Sequence, residues 1–338
     1  MSRLRRALLA AGLLLLGAAT VLALWAWRGV ARPFGPGAPL FVEVEAGATA
    51  AEILADLERR GVIADARLAR AYLVYALDDP PLKAGEYRFD GARPMPAVLD
   101  MLIRGEVVVH PVTIPEGLTL DETARLLAEA GFGESAALSR AMLDPRAIAD
   151  LDPAATDLEG YLFPDTYHFA RATTPAAIVE ALVATFRERW ERDVRPLAPG
   201  DGASPREIVT LASIVEKEAR LPGERPLIAG VYASRLRRGI ALYADPTIIY
   251  ALKRAGTWAG DLTREHLAME SPYNTYRVGG LPPSPICSPG AASLQAAAAP
   301  AEVPYLDFDS RNDGSHVFAV TLAEHNRNVA TWQRRNRR

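Results

Sequence analysis

One cysteine, Cys287, stands in 338 residues, so no intrachain disulfide can form and no Cys-rich zinc site can be built. Lysine is almost as scarce. Lys83, Lys217 and Lys253 are three among 38 basic residues, which leaves few candidates for Schiff-base chemistry. Neither charge is in real excess: 38 basic and 41 acidic residues give a net charge of -3, without the basic surplus that a phosphate-binding domain carries. No P-loop, HExxH, GxSxG or paired CxxC occurs, and His110, His168, His266, His316 and His325 fall at no metal-ligand spacing. We therefore expect no nucleic-acid partner, no metal and no cofactor. What is present is a near-average globular composition, 49% apolar and 23% charged, which excludes a polytopic membrane protein, a collagen-like chain and a largely disordered one. The length suggests about two domains.

The first 30 residues differ from the rest. Ala7 to Trp27 run 21 positions without a charge, and about 20 apolar residues span a bilayer core as a helix. Arg3, Arg5 and Arg6 precede the run, Arg28 and Arg32 follow it, and Trp25 and Trp27 stand where an interfacial aromatic belt would lie. The run exceeds the apolar core of a signal peptide, and its Trp-Ala-Trp-Arg exit makes a poor cleavage site. An uncleaved anchor is expected, with a short cytoplasmic leader and an exported bulk. Arg32 to Pro39 holds three Pro and two Gly and reads as a flexible tether.

Beyond the tether the pattern is α+β. Phe41 to Glu45 alternates as a strand, Thr49 opens a helix that ends at Gly61, and a second helix covers Leu68 to Leu77. Gly85 to Phe89 reads as a returning strand, and Pro96 starts a helix stopped by Gly105. Ile114-Pro-Glu-Gly-Leu-Thr119, with its helix ending at Gly131, then repeats Val44-Glu-Ala-Gly-Ala-Thr49. Such a pair suits small glycan-binding modules, but strand-Gly-Thr-helix is also a common capping solution. The boundaries read as 1–30 leader and anchor, 31–39 linker, 40–108 first module, 109–150 second β-α module or connector, and 151–338 a mixed α+β main domain.

Motifs thicken in that last region. Leu158 to Tyr167 packs aromatics and carboxylates into an ordered loop that suits either a sugar site or a core. Ala176 to Trp190 is an amphipathic helix that serves as scaffold. Ile208 to Ala219 places Ile208, Leu211, Ala212, Val215 and Ala219 on one stripe, with Lys217 opposite and Glu216 and Glu218 flanking it. A carboxyl at the margin of an apolar face is partly desolvated and stays protonated nearer neutral pH, which a general acid requires. A solvated Glu-Lys-Glu turn is the alternative, and periodicity does not choose between the glutamates. A helix follows from Arg225 to Arg238. Asp245, before Pro246, is placed to cap the next helix, Thr247 to Leu252. Ser271 to Ile286 reads as a rigid loop, Pro289 to Ala299 as an Ala-rich helix, Gly314 to Val320 as ending in a strand, and Leu322 to Trp332 as a closing helix.

Together Glu159-Gly-Tyr-Leu-Phe-Pro-Asp-Thr-Tyr167, Ala212-Ser-Ile-Val-Glu-Lys-Glu218, Asp245-Pro-Thr, Tyr273-Asn-Thr-Tyr276, Gly280-Leu-Pro-Pro283 and His316-Val-Phe…His325-Asn resemble the endolytic murein transglycosylases (MltG, YceG-like). The resemblance implies an anchored lyase of the inner membrane, with its catalytic domain in the periplasm and a LysM-like region before that domain. It implies cleavage of MurNAc-GlcNAc β-1,4 bonds in nascent peptidoglycan strands, leaving 1,6-anhydroMurNAc ends. It also implies glycan polymerases and penicillin-binding proteins as partners. One glutamate then acts as acid and base because the sugar's own C6 hydroxyl is the nucleophile. The motif assigns that part to Glu218 over Glu216. Ala219 stands where lytic transglycosylases usually carry Ser or Thr, so one supporting hydrogen bond is missing from the expected pattern. Asn274, Tyr273, Asp245 and Glu159 are expected to position substrate or hold Glu218. A PLP-dependent, aminodeoxychorismate lyase-like activity fits poorly with so few lysines. A non-catalytic glycan-binding scaffold is the alternative from another functional class.

Overall fold

The computed structural model describes residues 3–198 and 202–332, with side chains from residue 10 onward. The arginines of the leader, Arg3, Arg5 and Arg6, thus lie outside the described side chains. The chain forms two compact units, residues 1–110 with 168–173, and 111–167 with 174–338.

The first unit begins with α1 (Arg3–Ala31). Its Ala10–Ala31 stretch is long and apolar enough to cross a membrane and has none of its most apolar window buried against protein. Behind it, β1 (Leu40–Val44) pairs antiparallel with β2 (Gly85–Phe89), Leu40 facing Phe89 and Val44 facing Gly85. The helices α2 (Ala50–Arg59), α3 (Ala66–Leu77) and α4 (Met95–Arg104) bury their apolar faces with this ribbon, around Leu54, Leu57, Leu99 and Leu102. Tyr87, also fully buried, satisfies its hydroxyl by donating to the Lys83 carbonyl at 2.7 Å. The Pro/Gly-rich stretch after α1 is not the loose tether its composition suggests. Phe34 and Arg93 exchange both backbone hydrogen bonds, at 3.0 and 2.9 Å. Gly35 is needed there because a Cβ would stand 2.5 Å from the Gly91 carbonyl oxygen.

The second unit is mostly helical. β3 (His110–Thr113) and β4 (Thr166–Phe169) make a second two-stranded ribbon, and the chain changes unit near their ends. Between them lie α5 (Leu120–Glu129) and α6 (Ser135–Met142). The sequence repeat is a structural one at this level. Thr49 and Thr119 each accept from the backbone N–H three residues on, and Glu52 and Glu122 each reach back to the threonine N–H. Both helices then close alike, with Val62 N–H on Leu57 O and Phe132 N–H on Leu127 O.

The scaffold helix α7 spans Pro175–Arg189. The aromatic loop before it fills core rather than offering a sugar platform. Tyr161 and Phe163 are buried, and Tyr161 meets Phe186 edge-on at 5.1 Å. At the centre stands α8 (Pro205–Glu218), capped by Ser204 and Glu207 and packed against α9 (Arg225–Arg237), α10 (Asp245–Arg254) and α12 (Ala291–Ala298). Its expected single stripe is an underestimate. Every residue from Ile208 to Val215 is buried, Thr210 and Ser213 included, as in a helix enclosed on all sides. Ser213 allows this because its hydroxyl donates to Thr210 O and accepts from the Ile286 N–H. After the short α11 (Arg264–Ala268), β5 (Asp307–Ser310) and β6 (His316–Ala319) pair antiparallel, and α13 (Leu322–Trp332) packs on them.

Candidate active-site cleft

The last residue of α8 is Glu218. The helix stops there because Ala219 turns to extended backbone (φ -75°, ψ 117°) after its N–H closes on Val215 O. Glu218 thus projects from a helix C-terminus, where the dipole disfavours an anion. It faces a cleft of about 420 Å³ walled by side chains from α9, α10, the loop after α11, and the β5–β6 ribbon.

The contacts of Glu218 are few. Tyr232 on α9 donates its hydroxyl to Oε1 at 2.9 Å, and Oε2 has no hydrogen-bond partner among the described residues. Burial pushes the carboxyl up to about 7, the Tyr232 hydroxyl pulls it down, and the charge of Asp245 pushes it up again. Burial likewise drives the Tyr232 phenol far up, so it stays a neutral donor. Ala219, at the position expected to carry a hydroxyl, is buried, and among the described residues the one hydroxyl bonded to Glu218 comes from Tyr232, one helix away.

Asp245 is not the helix cap its place before proline suggests. Ala244 holds the N-cap position, and Asp245, first residue of α10, is exposed and accepts from the Tyr276 hydroxyl at 2.7 Å. Tyr243 forms one lip of the cleft in a left-handed conformation (φ 52°) that a non-glycine residue rarely adopts. Its ring is half exposed, tilts against Tyr276 at 5.1 Å, and lies under the Arg235 guanidinium, also at 5.1 Å. Arg235 pairs with Asp307 at 3.3 Å. On the ribbon side, Phe308 meets the Tyr232 ring edge-on. His316 Nδ1 sits 2.7 Å from Glu224, and His325 Nδ1 sits 2.9 Å from Asp309. Burial raises Asp309 above the usual carboxylate range against the pull of His325. The described residues contain no cluster able to hold a metal ion.

The other expected site residues lie elsewhere. Glu216 is tied down: Gly290 N–H donates to its Oε2 at 3.0 Å, and Arg225, itself 3.7 Å from Glu116, approaches its Oε1 at 3.5 Å. A Cβ on Gly290 would stand 1.8 Å from Glu116 Oε1, so a larger residue there would require the Glu116 side chain to move. Lys217, between the two glutamates, donates to Gly117 O at 3.1 Å. Asn274 is fully buried as a loop clamp, its amide donating to Leu267 O and Met269 O while its oxygen takes the Tyr276 N–H. Through that last bond it sets the backbone of a cleft residue without reaching the cleft. Tyr273 and Glu159 border a different cavity, Tyr273 with its ring tilted against Tyr250 at 5.0 Å and Glu159 as a lining residue. Burial pushes Glu159 up to about 8, against the Tyr250 hydroxyl and the Leu120 N–H that it accepts. Tyr232, Arg235, Tyr243 and Tyr276 are among the cleft residues that sequence reasoning did not single out. Only Tyr276 carried a signal, its place in the Tyr-Asn-Thr-Tyr motif.

The arrangement suits proton transfer to and from an acid-sensitive bond. One half-buried carboxyl, about half protonated at pH 7, keeps a free oxygen toward a polar cleft.

Comparison with known proteins gives a consistent picture. The YceG-like family matches residues 42–331. A Bacillus subtilis (strain 168) protein named endolytic murein transglycosylase is 29% identical over 306 residues, 85% of this chain and 82% of its own length. A Streptococcus pneumoniae (serotype 2, strain D39) protein of the same name is 29% identical over 322 residues, covering 86% of this chain; the match spans 57% of the longer streptococcal protein. The crystal structure of a yceG-like protein from Listeria monocytogenes superposes with a TM-score of 0.58 at 32% identity, covering 86% of this chain and 98% of that one.

Proposed function

The chain belongs to the YceG-like family, and from that membership we propose that it is an endolytic lytic transglycosylase of peptidoglycan with Glu218 as its acid and base. The proton on Glu218 Oε2 passes to the bridging oxygen as the C1–O4 bond between MurNAc and GlcNAc breaks. The ionised carboxylate then takes the proton of the MurNAc C6 hydroxyl as O6 closes on C1. The products are a 1,6-anhydroMurNAc end and a GlcNAc with a free 4-hydroxyl. No water is consumed, and Glu218 regains its proton. A single carboxyl suffices because the nucleophile belongs to the substrate, held at high effective concentration. Tyr232 fixes the carboxyl by Oε1 and leaves Oε2 to the sugar. Tyr243 and Tyr276 offer ring faces to pyranose rings at the cleft mouth.

The reading extends to the rest of the chain. The Ala10–Ala31 helix serves as a single-pass anchor in the inner membrane, with both folded units in the periplasm beside the growing strand. The β1-α2-α3-β2 order of the first unit supports a LysM-like glycan-binding role for residues 40–108. Glycan polymerases and penicillin-binding proteins are the partners this placement calls for.

The observation that carries the proposal is the raised, half-buried Glu218 with one oxygen free to the cleft. Its test uses uncrosslinked glycan strands incubated with the full-length protein and with Glu218→Gln, their ends read by mass spectrometry. Anhydro ends should form with the first and fall about a thousandfold with the second. Equal release by both would end the assignment, and reducing MurNAc ends would make the protein a hydrolase instead.

A further inference from the structure

We propose that the enzyme also reads the peptides its substrate carries: a cavity at the far end of α10 binds the free carboxylates of the short acidic peptides attached to the glycan, with Arg254 as the main anchor. The inference rests on the transglycosylase reading for its substrate and on separate residues for its site.

The cavity measures about 450 Å³ and shares no lining residue with the Glu218 cleft. Helix α10 connects the two. Asp245 lines the cleft; Pro246 and Ile249 line a small hollow that also contains Lys217; Tyr250 and Lys253 line both that hollow and the larger cavity; Arg254 opens into the larger one. From Asp245 to Arg254, at 1.5 Å per residue, this is about 13 Å. A polymer held at its scissile bond covers that distance, and a single sugar does not.

The chemistry of the cavity favours a carboxylate. The Arg254 guanidinium is held from behind, with Nη1 at 3.3 Å from both the Tyr250 and Tyr273 hydroxyls, while its nearest carboxylate, Asp157, stays 3.9 Å away. A planar fork fixed through Nη1 by neutral partners, with only a long ion pair from Nη2 to Asp157, is suited to a two-point contact with an incoming carboxylate. Arg125 adds a second guanidinium, engaged among the described residues only through Nε with the Asp121 carbonyl. Lys253 is already paired, to Glu122 at 2.7 Å. Of the acids present, Asp121 and Glu122 lie on α5 and Asp157 caps the Glu159 N–H. Glu159, beneath them, has both oxygens turned to Leu120 and Tyr250. The half-buried Trp258 supplies an apolar wall for the peptide's methyl groups.

The test compares two substrates with the full-length protein: strands bearing their peptides, and the same strands stripped by an amidase. The readout is the ratio of kcat/KM on the two. Arg254→Gln keeps a donor for the tyrosine hydroxyls and removes the charge; Arg125→Gln is the second variant. A charge-assisted contact predicts that the wild-type preference for peptide-bearing strands drops at least about tenfold in Arg254→Gln, through KM. An unchanged ratio in both variants would overturn the site. Should Glu218→Gln prove fully active, the catalytic reading fails while the peptide site remains testable. Retention of dye-labelled, peptide-bearing strands by the protein should then still fall in Arg254→Gln, and undiminished retention would reject the site.

Discussion

Two glutamates of the second unit are drawn toward neutral pH, and they differ in what their oxygens do. Glu159 sits at the N-terminus of α5, 4% exposed, with Leu120 N–H on both oxygens and the Tyr250 hydroxyl on one. Glu218 sits at the C-terminus of α8 with a single donor, Tyr232, on one oxygen. Burial is the leading cause of the upward shift in both. A displaced pKa therefore does not separate an acid from a strut, and a free oxygen facing a cleft does. The helix ends reinforce the contrast, since an N-terminus welcomes negative charge and a C-terminus repels it.

The contrast breaks first at the level of turnover. Glu218→Gln should abolish anhydro-end formation by about three orders of magnitude, whereas Glu159→Gln, which keeps an acceptor for Leu120, should stay within about tenfold of wild type. Comparable losses in the two would mean that Glu159 takes part in the chemistry.

The second effect is on stability. A glutamate titrates near 4.5 in the unfolded chain, and Glu218 titrates at about 7 in the fold. Between those values the folded protein holds more protons, so its stability falls as pH rises. An amide cannot ionise. Glu218→Gln should therefore be the more stable protein at pH 8, by up to about 3 kcal/mol, with the gap closing toward pH 4.5. Thermal melts across that range are the check, and a gap that widens on acidification would contradict the assigned burial.

What the sequence discloses follows the range of the interaction. The capping boxes at Thr49 and Thr119 are legible because both partners lie within one turn, and α8 is legible as a helix from its apolar spacing, though the burial of Thr210 and Ser213 is not. Asp245 misleads by a single position: an acid before proline reads as a cap, but Ala244 takes that place and frees the carboxylate for Tyr276. Asn274 looks like a ligand-binding amide, yet its partners are two backbone carbonyls and an N–H in its own loop. Tyr232 carries no local signal at all, because its role depends on α9 folding back against α8. The Pro/Gly-rich segment after α1 reads as loose because composition does not reveal that Phe34 pairs with Arg93.

A smaller effect tests the donors. Tyr232→Phe removes the hydroxyl that pulls Glu218 down, so the pH at which activity falls on the alkaline side should rise while kcat drops with the lost positioning. Tyr250→Phe removes the matching donor from Glu159 and should leave that limb in place. Movement of the limb in the Tyr250 variant alone would reverse the roles of the two glutamates.

The smallest effect concerns the neighbouring charges. Asp245 pushes Glu218 up by its negative charge, and Asp157 does the same to Glu159. Asp245→Asn keeps an oxygen for the Tyr276 hydroxyl and removes the charge, so Glu218 becomes easier to ionise. An acid that must hold its proton then works over a narrower range, and the alkaline limb should move down by less than about one pH unit. Asp157→Asn, placed beside the glutamate whose oxygens are already taken, should move nothing in the rate profile. Equal shifts in both variants would show that the limb reports the overall charge of the unit and not the ionisation of Glu218.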